Sequence, residues 1–298
     1  MTDIACTVRH MGIADIPQVL DLWRESGLHH TPQSLSTWLE VDPYGFYVAV
    51  SDAGEVLGIC SAVFHHNDLA FVGSYYVKRE YRGQGIGRKV LNACNDHIGS
   101  RNAALNAMPE MVPFFRDTCG YSIVKNKWVC LFYMSADSLK LDTIPSNRLK
   151  EFEIRLPRES DLSLMFEYFF KIIGYRLDLA IRLNCEEVDS RTYVAFKEGV
   201  CVGFGSIKIS CNGAGEVGPL YADSTTVAEI LLKKLILSFP RARGFVIKTV
   251  RSNSAANDLA QRFGWSCPEL YPRLYRKKIL NADINKVFAL FSMSFAPF

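Results

Sequence analysis

Tyr81-Arg82-Gly83-Gln84-Gly85-Ile86-Gly87-Arg88 decides how this chain is read. Three glycines at alternate positions let the backbone turn tightly and turn several N–H groups the same way. A strand-like run, 70–77, precedes the stretch, and a helical pattern with Ile86, Val90, Leu91 and Cys94 on one face follows it. The start of a helix adds partial positive charge, so glycine loop and helix together make a cradle for phosphate groups. No Gly-Lys-Ser/Thr follows, which excludes a P-loop. The Gly-x-Gly-x-Gly spacing, with no acid about 20 residues on after a second strand, excludes a dinucleotide fingerprint.

Outward from the loop, the chain repeats itself. Val8-Arg9 followed by Asp15 recurs as Ile154-Arg155 followed by Asp161, about 145 residues on. Tyr47-Val48-Ala49 recurs as Tyr193-Val194-Ala195, Gly58 as Gly203, Gly73-x-x-Tyr76 as Gly218-x-x-Tyr221, and Gly120-Tyr121 as Gly264-Trp265. So many matches in one order predict two copies of a single domain. The expected bounds are 1–138 and 151–298, joined by a linker over 139–150 that contains Pro145-Ser146-Asn147. The first copy reads β, α, α, three strands in a meander, α, β, α, β, β, and the second follows the same order. Asp15 with Gln18, and Thr31 with Pro32, are expected helix starts. Run 129–133 is expected to close the first sheet, and the apolar run 287–292 the second. The fold class is α+β (α/β), each copy a mixed, mostly antiparallel sheet flanked by helices.

Composition limits the function. The 298 residues are 49% hydrophobic and 22% charged, with net charge +3. That leaves ample core and no electrostatic case for nucleic acid or a membrane surface. No apolar stretch is long enough to span a bilayer, and the start does not read as a secretory signal. Nine scattered cysteines without a Cys-x-x-Cys pair point to a reducing compartment, the cytoplasm, and to no metal site.

Val77, Arg82, Gly83, Gly85 and Gly87 match the pattern Val-x-x-x-x-Arg-Gly-x-Gly-x-Gly. In this β-α-β setting the stretch resembles the acetyl-CoA signature of the GNAT N-acetyltransferases, and Cys119-Gly120-Tyr121 resembles their later Gly-aromatic turn. The resemblance covers the whole first copy. It implies that backbone N–H groups from Arg82 through Gly83, Gln84, Gly85 and Ile86 to Gly87 bind the coenzyme pyrophosphate. It also implies that Tyr75, Tyr76 and Val77 splay from the next strand and meet the pantetheine arm. The second copy has Gly218-Pro219-Leu220-Tyr221-Ala222-Asp223 instead, which resembles the YitH/HolE-type GNAT domain with a degraded coenzyme loop. Asp223 or Ser224 is expected to cap the helix that follows.

The activity implied is transfer of an acetyl group from acetyl-CoA to a small-molecule or protein amine. The alternative is a coenzyme-A-binding or interaction protein without turnover. Such a transfer needs a base for the amine and a donor near the departing thiolate. In the family a helix tyrosine commonly serves as donor, but the matching positions hold Arg116 and Ala260. Tyr75 or Tyr76 is then the substitute donor, and Tyr76 has a repeat partner in Tyr221. His65, His66 and Asp68 in the turn before the coenzyme strand, and Glu110 at a helix start, are candidate bases. Tyr76 and Asp68 stand as the catalytic candidates. His29-His30 would border the acceptor cleft.

Overall fold

The computed structural model describes residues 5–26, 31–125, 128–135, 139, 151–266 and 268–298. His29, His30, Cys267 and nearly all of the expected linker lie outside the described residues.

The first half builds β1 (Cys6–His10), α1 (Ile16–Ser26), α2 (Pro32–Val41), β2 (Phe46–Ser51), β3 (Val56–His66) and β4 (Leu69–Val77). It continues through α3 (Ile86–Ile98), β5 (Asn102–Asn106), α4 (Val112–Asp117), β6 (Ile123–Val124) and β7 (Cys130–Ser135). The second half gives β8 (Glu153–Arg155), α5 (Glu159–Ile173), α6 (Asp178–Glu186), β9 (Ser190–Lys197), β10 (Val200–Ile209) and β11 (Gly215–Ala222). Then come α7 (Thr225–Leu237), β12 (Phe245–Val250), α8 (Ser254–Phe263), β13 (Glu269–Tyr271), β14 (Arg273–Tyr275) and β15 (Val287–Ala289).

The repeated residues do the same work twice. Arg9 donates to both oxygens of Asp15, at 2.7 and 2.8 Å, and Asp15 accepts from the Gly12 N–H at 2.8 Å. Arg155 grips Asp161 with the same fork, and Asp161 accepts from the Arg158 N–H at 2.6 Å. Each aspartate therefore ties the first strand of its copy to the start of the next helix. Gln18 does not complete a capping box with Asp15. Its side chain crosses to the β2–β3 turn, where it accepts from the Val56 N–H at 2.9 Å. Thr31 caps α2 as its sequence predicts, accepting from the Ser34 N–H at 3.3 Å, with Pro32 in the first turn.

Both copies carry the same bulge. In β4 the pairing with β3 jumps from Ile59↔Tyr76 to Ser61↔Gly73, and in β11 the pairing with β10 jumps from Gly205↔Leu220 to Ile207↔Val217. One strand gains a residue, which bends it and re-aims its side chains. Ser74 takes the extra position in β4 and sits at φ +50°.

The halves do not close their own sheets. The first sheet runs β1-β2-β3-β4-β5-β14-β6, and the second runs β13-β7-β12-β11-β10-β9-β8, with β15 beside β11. β7, expected to close the first sheet, pairs with β12 over Cys130↔Val250 to Ser135↔Phe245. β14 takes its place, pairing with β5 and β6. A strand's alternation says which face it buries but not which sheet accepts it, so the exchange is invisible to a local reading.

The run 287–292 also departs from expectation. β15 enters between β11 and β12 rather than at an edge: Leu220 pairs with Ala289, Tyr221 with Val287, and the Leu290 N–H donates to the Lys248 carbonyl at 2.8 Å. Residues 290–298 then cross to the first half. Phe295 is fully buried among Trp23, Trp38 and Phe46, with ring centroids 5.6–6.1 Å away. Burying one such ring stabilises by about 1.5–3 kcal/mol. A second tie is polar. Glu187, on the second half, accepts from Thr37 of α2 at 2.7 Å and pairs with Lys208, which donates to Ser34 at 3.0 Å.

Candidate functional site

A cleft of about 710 Å³ opens where β4 leaves β5. The parallel pairing of the two strands covers Leu69↔Asn102 to Val72↔Leu105. Beyond Val72 they separate, because the bulge turns β4 away. The cleft runs from Tyr75, Tyr76 and Val77 to Gly83, Gly85, Ile86 and Gly87 at the start of α3.

Local chemistry shapes the loop. Gly83 and Gly85 have φ of +76° and +81°, and Gly85 is the N-cap of α3. No atom stands near where their Cβ would be, so backbone conformation, not space, calls for glycine. The first intrahelical bond runs from the Lys89 N–H to the Gly85 carbonyl at 3.1 Å. The N–H groups of Ile86, Gly87 and Arg88 thus have no acceptor within the helix. Arg79, Arg82 and Arg88 line the same end. Donors, helix dipole and three guanidinium groups suit a diphosphate. Arg82 also holds the strand end: its Nε donates to the Val77 carbonyl at 3.0 Å, and its guanidinium lies 5.0 Å from the Tyr76 ring centroid. Gln84 turns away from the cleft and donates to the Glu80 carbonyl at 3.2 Å.

The two tyrosines face opposite ways. Tyr75 shares a face with Val77, toward α3 and α4. Its ring meets Phe115 edge-on at 5.9 Å, and its hydroxyl lies where a Cβ on Gly87 would collide with it. Gly87 is therefore the glycine whose missing side chain makes room for Tyr75. Burial pushes the Tyr75 hydroxyl up to about 12. Tyr76 faces α1, and its hydroxyl donates to Glu25 at 3.0 Å. Burial raises it above the ordinary phenol value, and the bond to Glu25 adds to that.

Other sequence candidates fall elsewhere. Asp68 is exposed in the β3–β4 turn, at the far end of β4. Eight strand residues, about 26 Å, separate it from Tyr76. It does not reach the cleft. His66 shares that turn. His65 is buried with Nε2 2.7 Å from the Phe295 carbonyl, and burial pulls it down to about 4, against the opposing pull of that bond. Arg116 is on the surface, paired with Asp117 at 2.7 Å. Ala260 is core. Glu110 does line the cleft. Sequence reading missed Glu25. It sits near the end of α1 with nothing local to mark it, and only the packing of α1 on β4 brings it to Tyr76.

The second half has the bulge without the cradle. Between β11 and α7 lie only Asp223 and Ser224, and Ser224 caps α7, accepting from the Val227 N–H at 3.3 Å. Residues 287–290 fill the space between β11 and β12, and a Cβ on Gly218 would collide with the Leu290 carbonyl.

The acetyltransferase (GNAT) family model matches residues 16–121, and an acetyltransferase (GNAT) domain model matches residues 181–289. The chain belongs to the GNAT family. It carries two GNAT domains, and the family fold is that of an acyltransferase. A putative acetyltransferase from Pyrococcus horikoshii superposes with a TM-score of 0.76 at 18% identity, over 99% of this chain and 97% of that one. A tandem GNAT protein from the clavulanic acid biosynthesis pathway gives 0.61 at 16%, over 91% and 98%. A GCN5-related N-acetyltransferase from Sphaerobacter thermophilus gives 0.60 at 15%, over 93% and 96%. At these identities the likeness is one of fold. No curated protein matches the chain significantly in sequence. Among the described residues, no helix is long and apolar enough to cross a membrane, and no group of three or more His, Cys, Asp or Glu is arranged to hold a metal ion.

Proposed function

We propose that the first GNAT domain transfers an acetyl group from acetyl-CoA to an amine, in the cytoplasm and without a metal. The observation that carries this reading is the cleft itself, which joins a diphosphate cradle at α3 to two tyrosines at the split between β4 and β5. The second domain, read as the YitH/HolE type, supports the first and takes no coenzyme, since residues 287–290 stand in its split.

The amine nitrogen attacks the thioester carbonyl carbon. A C–N bond forms, the C–S bond breaks, and the pair of electrons leaves on sulfur. Glu25, reached through Tyr76, is the group we assign to take the ammonium proton on the acceptor side. The geometry supports Tyr75 over Tyr76 as the group at the departing sulfur, because Tyr75 faces the start of α3. With its hydroxyl held up to about 12, Tyr75 keeps its proton at neutral pH. A thiol titrates near 8.5, so a thiolate is too weak a base to take that proton. Tyr75 therefore stabilises the sulfur by donating a hydrogen bond, and solvent supplies the proton. Loss of one such donor lowers kcat by about 10²-fold or more. Thiol release from acetyl-CoA, measured over a panel of amines, tests the reading. Tyr75→Phe is expected to show that loss with a nearly unchanged melting temperature. Equal turnover by Tyr75→Phe and the parent chain would remove Tyr75 from the mechanism.

A further inference from the structure

The exchanged strand β14 carries a charge into the core. Arg273 and Tyr275 stand two residues apart on it, so both side chains leave one face of the first sheet, and Leu274 leaves the other. That face looks into the core shared by the two halves, where Phe71, Trp128 and Phe298 also pack. Arg273 and Tyr275 are both fully buried.

One end of the guanidinium is satisfied. Its Nε donates to the Asn106 Oδ1 at 2.9 Å, and Asn106 is itself fixed by donating to the Met293 carbonyl at 2.9 Å. The other end is not. Nη1 and Nη2 are buried with no hydrogen-bond partner among the described residues, and so is the Tyr275 hydroxyl. The Phe298 carbonyl oxygen accepts from the Phe291 N–H at 3.1 Å.

No counter-charge accompanies the arginine. Among the described residues Cys130, Tyr175 and Tyr275 feel its charge, and no carboxylate is among the charges that act on any of the three. The surroundings are aromatic instead. The Arg273 Cζ lies 5.7 Å from the Phe71 ring centroid and 5.5 Å from that of Phe298, and the Tyr275 ring is 6.4 Å from Trp128. Ring faces attract a cation, but they offset only part of the cost of burying one. Arginine does not escape that cost by giving up its proton. Burial raises the Tyr175 and Tyr275 hydroxyls above the ordinary phenol value, so both keep their protons at neutral pH. The free polar atoms here are thus donors beside a positive charge, which is the environment of an anion.

We propose that the core between the halves holds a small inorganic anion, chloride by preference, bound by Arg273 Nη1 and Nη2 and the Tyr275 hydroxyl. One negative charge cancels the guanidinium, whereas a divalent anion would leave an unpaired charge of the opposite sign. A weakly hydrated monovalent ion also costs least to strip of water. The ion would pin β14, a strand supplied by the second half, inside the first sheet. The site is separate from the coenzyme cleft and does not rest on the acetyltransferase reading.

The test is urea denaturation of the full chain at fixed ionic strength, with chloride replacing glutamate. An anion bound by the native chain alone lowers the unfolding constant about tenfold for each tenfold rise in its concentration above the dissociation constant. The parent chain should show that response to chloride and to bromide. Arg273→Met should abolish it. Tyr275→Phe keeps the ring, and should need about tenfold more chloride or beyond for the same response. In crystals grown with bromide, the anomalous peak is expected within hydrogen-bond reach of Arg273 and Tyr275. A chloride response of equal size in folded Arg273→Met, or in Tyr275→Phe should Arg273→Met not fold, would overturn the proposal. So would an adventitious ion only, with bromide on the surface and water at the guanidinium.

Discussion

Acidification should loosen the contact between residues 290–298 and the first half through one group, His65. Its Nε2–H donates to the Phe295 carbonyl, and its Nδ1 is buried without a partner among the described residues. A proton on Nδ1 would leave a charge with no acceptor in the core. The ionisable groups acting on it are His66, which disfavours the charged form, and Asp42, which favours it less than burial opposes it. The unfolded imidazole titrates near 6.5 and the folded one at about 4. Between those values the unfolded chain binds a proton that the native chain does not, so stability falls as pH falls through that window. At about 1.36 kcal/mol per pH unit, the whole separation is worth about 3.4 kcal/mol, of which about 2 kcal/mol is lost by pH 5. His65→Gln keeps an N–H for Phe295 and removes the titration. Urea denaturation followed by tryptophan fluorescence, at pH 7 and pH 5, gives the comparison. Trp23 and Trp38 flank Phe295 and report on the segment. The parent chain should lose about 2 kcal/mol more than His65→Gln over that interval. Equal losses would show that the folded chain takes up the His65 proton as readily as the unfolded one, and the buried placement would be wrong.

The second half's buried pair of Glu187 and Lys208, which bonds Thr37 and Ser34 of the first half, gives two further outcomes. Glu187→Ala strands the Lys208 ammonium, 3% exposed, and should cost about 3–5 kcal/mol in chemical denaturation. Combining Glu187→Leu with Lys208→Met removes both charges and should recover most of that loss. A double variant no more stable than Glu187→Ala would mean that the pair is not buried as described.

The sequence carried the repeated unit clearly, because the repeats are residues with fixed jobs. Arg9 with Asp15 and Arg155 with Asp161 are the same fork, and Gly73 and Gly218 both lie at the bulge where another backbone passes close. The glycine loop was legible for a similar reason, since positive φ at Gly83 and Gly85 leaves few other residues possible. Features that depend on which distant segments meet were not legible. The exchange of β7 and β14 leaves no trace in local periodicity. Asp68 looked close to the coenzyme strand in sequence, but a strand is extended, and its two ends are the points furthest apart. Glu25 reaches Tyr76 only through packing, by the lie of α1 on β4. Tyr75 and Tyr76 are neighbours in sequence, yet the alternation of a strand sends them to opposite faces.

Titration calorimetry of acetyl-CoA into the full chain tests the central claim most directly, since the claim is that one domain of two binds the coenzyme. The account predicts one site per chain, and no binding by Gly85→Glu, which puts a side chain at φ +81° and a carboxylate among the phosphate donors. Circular dichroism should show that variant folded. Binding without thiol release would favour the non-catalytic alternative while leaving the cradle in place. Two equivalent sites per chain, or undiminished binding by folded Gly85→Glu, would contradict the account.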